Sequence, residues 1–411
     1  MDNTYVVEAL TNTTSTVEIA DDGAGIDTLT STGVYEKVVE FTLAWTVSGD
    51  QPSAASVIYF LPTGGGGFEG HRLIVTGVIE NATGGVGRDF IQGNVLGNVL
   101  WGDASLAGLG LGDTLWGGSG NDTIHGGTGD DEILGDGDND RLFGEAGIDS
   151  ISGGGGVDTI DGGTGADVLA GGGTVGDMLS YALSTAAVQV TLEFGTTTTC
   201  AGGDAEGDRV TGFSDVTGTF WGDRIEDLVK GTLAFGYNDN AFWGGKGRDA
   251  LILGGGDDRG FGGDGDGTIE GEAGNDRASG DAGADLLSGG SGRDRLTGGA
   301  GGDTLTGGGG ADLFILASAG ESTGAALDQI TDFRAGQGDR FDLRLVDAIL
   351  GGTDDAFVFR GTKAFTGAGQ VRLEVGVDGV TVQGNLDTDA AAEFAIFVAG
   401  ATGLAATDFL L

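Results

Sequence analysis

Residues 117–170 read GGSGNDTIH, GGTGDDEIL, GDGDNDRLF, GEAGIDSIS, GGGGVDTID and GGTGADVLA, a period of nine without a slip. Asp122, Asp131, Asp140, Asp149, Asp158 and Asp167 hold position six, and Ile124, Ile133, Leu142, Ile151, Ile160 and Leu169 hold position eight. A nine-residue unit is too short for a helical hairpin, and it has no 3.6-residue pattern. It divides instead into a glycine-rich half, suited to a tight turn with exposed carbonyls, and a three-residue half with one apolar centre. That second half is a minimal strand whose central side chain points inward. One unit buries almost nothing alone, whereas stacked units bury a continuous aliphatic column, the logic of a solenoid.

The position-six aspartate gives such a turn a chemical purpose. Carboxylate and main-chain oxygens on a flexible turn suit Ca²⁺ better than Mg²⁺ or zinc. A disordered glycine-rich linker would not keep an acid and an aliphatic residue in phase over so many units. The tract resembles the RTX nonapeptide family, G-G-x-G-x-D-x-U-x, which implies a parallel β-roll. In that family two units make one coil, and calcium sits between same-side turns, held by the position-six aspartate and carbonyls near positions two and four. In the first block this implies Asp89, Gly118, Gly120, Asp122, Gly127, Gly129, Asp131, Asp140, Gly147, Asp149, Gly154, Gly156, Asp158, Gly163, Gly165 and Asp167. In the second it implies Gly245, Gly247, Asp249, Asp258, Gly274, Asp276, Gly283, Asp285, Gly290, Gly292, Asp294, Gly299, Gly301, Asp303, Gly308, Gly310 and Asp312.

Composition agrees with a charged, ion-dependent chain. Among 411 residues there are 89 glycines and two prolines, and 63 acids against 19 bases give a net charge of −44. Such a charge excludes a nucleic-acid footprint and makes the metal-free chain repel itself. Cys200 is the only cysteine, so neither an internal disulfide nor a thiolate cluster can form. The start MDNTYVVEAL has no basic opening and no long apolar run, so no cleaved signal peptide is expected. No run approaches the ~20 apolar residues of a membrane span.

Around the regular block the chain divides as follows. Residues 1–83 contain strand-like runs at 4–9, 36–47, 56–61 and 72–79, read as an antiparallel β cap. The phrase GVIENATGGVG at 77–87 resembles the lead-in to RTX rolls in serralysin-type proteins. The first roll block spans 84–177, with Asn98 replacing Asp in a weak unit, an insertion at 102–107, and a slip of phase near Asp177. A connector is expected over 178–243. The second block spans 244–315, with Gly267 where Asp belongs and with Gly260 and Ala278 at aliphatic positions, which predicts poorer packing near its start. Residues 316–411 leave the repeat, and segments 327–343 and 357–375 alternate like antiparallel strands. With VQGNLDTDAAAEFAIFVAG at 382–400, they resemble the C-terminal domain of serralysin-type proteases and of other type I secretion substrates. The close Asp408-Phe409-Leu410-Leu411 matches that family's acidic residue followed by three apolar ones, which implies an uncleaved export signal.

The serralysin resemblance does not extend to catalysis. A zincin needs H-E-x-x-H, and the only histidines, His71 and His125, are far apart and outside that motif. His71 reads as a solvated loop residue and His125 as a surface position at the end of a repeat strand. No G-x-S-x-G elbow or phosphate loop is present, and the acids are committed to turns. Trp101 and Trp116 end repeats outside the inward position and suit packing, or else a partner surface. The sequence therefore predicts an all-β, secreted, non-enzymatic calcium-binding β-roll protein in two blocks. Its expected partners are calcium, the type I secretion machinery, and a second copy or a cell-surface or matrix component, with no nucleic acid and no membrane span. The alternative is a secreted hydrolase with an active site in residues 1–83.

Overall fold

The structure is a computed structural model that describes residues 4–7, 28–31, 39–43, 57–60, 71–75, 81–84, 88–103, 111–173, 176–193, 195–228, 239–324, 326–349 and 355–411. The chain forms two compact units, one of residues 1–184 with 195–215, the other of 185–194 with 216–411. The described residues contain strands and two short 3₁₀ turns.

In the first unit, consecutive strands alternate between two parallel ladders. Thr123–Thr128 pairs with Val99–Trp101 on one side and Arg141–Ala146 on the other, and Thr159–Asp161 and Met178–Ser180 follow. The second ladder runs through Phe90–Gln92, Thr114–Gly118, Glu132–Gly137, Ser150–Gly155, Val168–Gly172 and Arg209–Thr211. Residues eighteen apart stand in register, as Ile124 against Leu142 and Ile133 against Ile151. The coil is therefore two nonapeptides long. Its core is one aliphatic side chain per strand: Leu100, Ile124, Leu142, Ile160 and Leu179 face Ile91, Leu115, Ile133, Ile151, Leu169 and Val210, all buried.

The strands of residues 1–83 extend these ladders in parallel. Thr4–Val7, Thr28–Ser31, Val57–Phe60 and Asn81–Thr83 lead into one, and Val39–Leu43 and His71–Val75 into the other. The antiparallel expectation for this cap is corrected: alternating runs do not reveal strand direction, and the preformed ladder edge supplies a parallel partner. His71 begins a strand rather than sitting in a loop.

The second unit repeats the plan. Ala241–Lys246, Arg259–Asp264, Arg277–Ala282, Arg295–Ala300, Leu313–Ile315 and Arg340–Asp342 form one parallel ladder, closed by Phe409–Leu410. Gln189–Leu192, Arg224–Asp227, Ala250–Ile252, Thr268–Glu270, Leu286–Gly292, Thr304–Gly310 and Asp328–Ile330 form the other. The interval 178–243 thus contributes rungs to each unit. Two tail strands expected to be antiparallel, Asp328–Ile330 and Arg340–Asp342, also join in parallel. Antiparallel pairing does appear where Gln370–Val375, Gly379–Asn385 and Phe394–Ala399 form a meander.

Packing at Gly260 also corrects the sequence reading. A β-carbon there would stand 2.9 Å from Ile269 Cγ2 and 3.2 Å from Leu253 Cδ2, so neighbouring side chains already occupy the space directly against Gly260. Leu253, fully buried, occupies the turn position that other units give to glycine, and it fills the space that a position-eight side chain would take.

Candidate metal centres

Each turn places its aspartate in the same way. The Asp140 Oδ1 accepts the Asp122 amide at 2.8 Å, and the Asp158 Oδ1 accepts the Asp140 amide at 2.9 Å. On the opposite ladder, Asp149 Oδ1 accepts from Asp131 at 2.8 Å, and Asp167 Oδ1 accepts from Asp149 at 2.8 Å. One carboxylate oxygen is thereby used to stitch turns two repeats apart. The other, Oδ2, is buried with no hydrogen-bond donor among the described residues in Asp113, Asp122, Asp131, Asp140, Asp149, Asp158, Asp167 and Asp177. The second unit shows the same orphaned Oδ2 in Asp258, Asp276, Asp285, Asp294, Asp303 and Asp312. A buried anionic oxygen without a partner is among the costliest arrangements in a protein interior.

The surroundings of that oxygen are built from other oxygens. A β-carbon on Gly135 would collide with Asp140 Oδ2 and lie 2.6 Å from the Gly153 carbonyl oxygen. On Gly154 it would collide with the Asp136 carbonyl, and on Gly156 with the Asp138 carbonyl. A carboxylate oxygen and a carbonyl thus lie beside Gly135, and two further carbonyls beside Gly154 and Gly156 of the next same-side turn, in spaces that only a missing side chain leaves open. A set of one carboxylate and several carbonyls fits a hard divalent ion of calcium's size and coordination habit, and it lacks the nitrogen and sulfur that zinc prefers. The residues present thus fit calcium, with Asp140 and the carbonyls of Asp136, Asp138 and Gly153 as the group that would hold it. Bound calcium would neutralise Oδ2 and tie successive turns together.

The glycines named from the sequence occupy these turns, and their backbone explains their identity. Gly127 and Gly129, at positions two and four, have φ of 109° and 121°, where side chains are strongly disfavoured. Asp136, Asp138, Glu145, Glu272 and Asp281 take positive φ at equivalent positions without being glycine. Their carbonyls stack as the glycine carbonyls do, so reading ligands from glycine alone passes over Asp136 and Asp138. Gly267 carries no carboxylate, yet its amide still donates to Asp285 Oδ1 at 2.6 Å.

The stitching runs beyond the repeats. The Asp113 amide donates to Asp131 Oδ1, the Asp158 amide to Asp177 Oδ1 at 2.9 Å, and the Asp167 amide to Asp208 Oδ1 at 2.8 Å. In the second unit, Asp223 donates to Asp249, Asp303 to Asp328 and Asp312 to Asp339. Sequence reasoning missed Asp113, Asp177, Asp208, Asp223, Asp328 and Asp339. All six precede an apolar residue by two, as in DTL, DML, DRV, DRI, DQI and DRF, so a D-x-U signal survives where the glycines do not.

Some of these outlying carboxylates differ from the interior ones in having protein donors on Oδ2. Tyr181 Oη donates to Asp208 Oδ2 at 2.9 Å, the Thr219 amide to Asp223 Oδ2 at 2.6 Å, and the Arg334 amide to Asp339 Oδ2 at 2.6 Å. A tyrosine or a backbone amide there supplies what an ion would supply inside the column.

Electrostatics follow from the burial. Desolvation pushes Asp122, Asp131, Asp140, Asp167, Asp249, Asp276, Asp285 and Asp294 up to about 7, against the hydrogen bond from the stitched amide. Burial takes Asp149 and Asp258 to about 8 and Asp113 to about 9, and neighbouring carboxylates add to the rise. Without a cation these groups resist ionising.

Outside the turns, His125 is half-buried, stacked between Trp101 at 3.7 Å and Phe143 at 4.7 Å, with Nδ1 2.9 Å from Glu145 Oε1. Trp116 packs edge-on against Phe90. Both tryptophans thus have packing partners. Cys200 is buried and unbridged. The side chains of residues 1–80, where the alternative active site would lie, are outside the described residues.

The RTX calcium-binding nonapeptide repeat (4 copies) matches residues 108–142 and 134–169, and the peptidase M10 serralysin C terminal matches residues 211–411. Among curated proteins no match is found. Among solved structures, the chain is similar to the AlgE6R3 subunit of the Azotobacter vinelandii mannuronan C5-epimerase, at 26% identity over 39% of this chain and 78% of that one, with a TM-score of 0.18. The serralysin match begins at 211, so it takes in the rungs from Arg224 onward as well as the tail. Residues 108–169 are thus similar to RTX calcium-binding nonapeptide repeats, and residues 211–411 to the serralysin C-terminal region.

Proposed function

We propose that this secreted calcium-binding protein acts outside the cell as a calcium-locked structural element with an adhesive, matrix or surface-layer role, rather than as an enzyme. The observation that carries this reading is the pair of columns of buried, partnerless Oδ2 atoms, which make the fold itself depend on the ion. At cytosolic calcium, a chain of net charge −44 stays extended by self-repulsion, as type I export requires. Outside, calcium at ~10⁻⁴–10⁻³ M matches the range of extracellular calcium modules, and binding and folding become one event. The position-six aspartates from Asp89 to Asp312 and the position-two and position-four carbonyls hold the ions. Residues 1–83 cap the first roll and residues 316–411 the second.

The test for the role is negative-stain electron microscopy of the purified protein, alone and with producing cells, in calcium and in EDTA. Calcium-dependent filaments, lattices or coating of cells are expected. Monomers that stay off cells in millimolar calcium, together with hydrolytic activity in the same preparation, would replace this reading with the enzymatic one.

A further inference from the structure

A second kind of cation site lies outside the repeats. Residues 385–393, N-L-D-T-D-A-A-A-E, close the hairpin between strands Gly379–Asn385 and Phe394–Ala399. Oxygen-bearing side chains fall at the first, third, fifth and ninth places, and a small residue, Ala391, presents its carbonyl at the seventh. This is the ligand spacing of the first nine positions of an EF-hand loop. The carboxylate oxygens of Asp387, Asp389 and Glu393 lie within 4.8 Å of one another. Two ligands on opposite sides of a calcium ion stand about 4.6–5.2 Å apart, so one ion can reach all three. None of the three has a salt-bridge partner among the described residues.

Asn385 supplies the independent observation. It is fully buried, and its Nδ2 donates to the carbonyls of Asp389 at 2.7 Å and Ala391 at 2.8 Å, which holds the carboxamide inside the loop. Its Oδ1 is buried with no donor among the described residues. The loop therefore bears a stranded amide oxygen at its first place and three carboxylates that converge within one ion's reach. Each carbonyl accepting from Asn385 has a second lone pair.

We propose that the hairpin loop Asn385–Glu393 binds one calcium ion of its own, through Asn385 Oδ1, Asp387, Asp389 and Glu393, separately from the roll. The ion pins the loop on which Phe394, a buried core residue, enters its strand. The double variant D387N/D389N tests it in the full chain, since both substitutions keep the Oδ1 acceptors that receive the Asp389 amide at 2.8 Å and the Ala391 amide at 2.6 Å. Native mass spectrometry in calcium should show one ion fewer than the unaltered chain, with the β signal of the roll unchanged. An identical ion count would overturn the proposal, whatever the number in the roll. Should the variant not fold, anomalous diffraction from crystals of the unaltered chain grown in calcium decides: a calcium peak within the loop supports the site, and a peak-free loop beside occupied roll sites removes it.

Discussion

Removing calcium should make the stability of the roll fall as pH rises, the reverse of what most carboxylate-rich proteins show. Asp140 is lifted from 3.8 to about 7 by burial, so the folded, metal-free chain holds this proton more tightly than the unfolded chain does. Stability falls with pH wherever the folded state binds more protons. The contribution is fully present below pH 3.8, declines through the interval, and is gone above about 7. For one such group the difference is on the order of 4 kcal/mol, at about 1.4 kcal/mol per pH unit. A typical domain holds only ~5–15 kcal/mol in all, so ionising two or three members of a column is enough to unfold it. Asp122 and Asp131 rise to about 7 and Asp149 to about 8, so this threshold is reached within one block. The assay is far-ultraviolet circular dichroism in EDTA from pH 4 to pH 8.5. The β signal should be strongest near pH 4–5 and lost by about pH 8. Calcium added at pH 7 should restore it, with protons released into a weakly buffered solution as the carboxylates take the ion. A β signal in EDTA that is flat across this range, or that grows with pH, would refute the reasoning.

Asp140→Asn keeps the acceptor for the Asp122 amide and removes the buried charge, so it should stabilise the roll in EDTA at pH 7.5 while lowering its calcium affinity at least tenfold, read by paired EDTA and calcium melts. Gly135→Ala drives a β-carbon against Asp140 Oδ2 and to 2.6 Å from the Gly153 carbonyl, so it should weaken calcium binding and also destabilise the metal-free roll; a calcium titration and an acid melt in EDTA, both followed by circular dichroism, check this. Leu142→Ala, in the middle of the first core column, should cost about 2–5 kcal/mol in a calcium-saturated melt. Native mass spectrometry of the unaltered chain should count roughly eleven roll ions, one between each pair of same-side turns in the two repeat blocks; three or fewer would exclude the arrangement.

The nine-residue period determined the parallel roll, the inward aliphatic column and the aspartate columns, because each of these is local. A glycine turn, one inward side chain and one carboxylate recur at fixed offsets, and stacking identical units can bury them in only one way. Direction and extent were not local. The described strands within residues 1–83 and the strands Asp328–Ile330 and Arg340–Asp342 alternate as any strand does, and only the ladder edge beside them made them parallel. Asp208 is 41 residues from its amide partner Asp167, across an interval with no repeat, and it joined the column because the chain returned to that ladder. Leu253 filling the space beside Gly260, and Tyr181 completing Asp208, are likewise contacts between residues whose separation obeys no period. The sequence carried what repeats; the tertiary structure decided where the repetition stops, since an ending is set by whichever side chain reaches the last exposed oxygen.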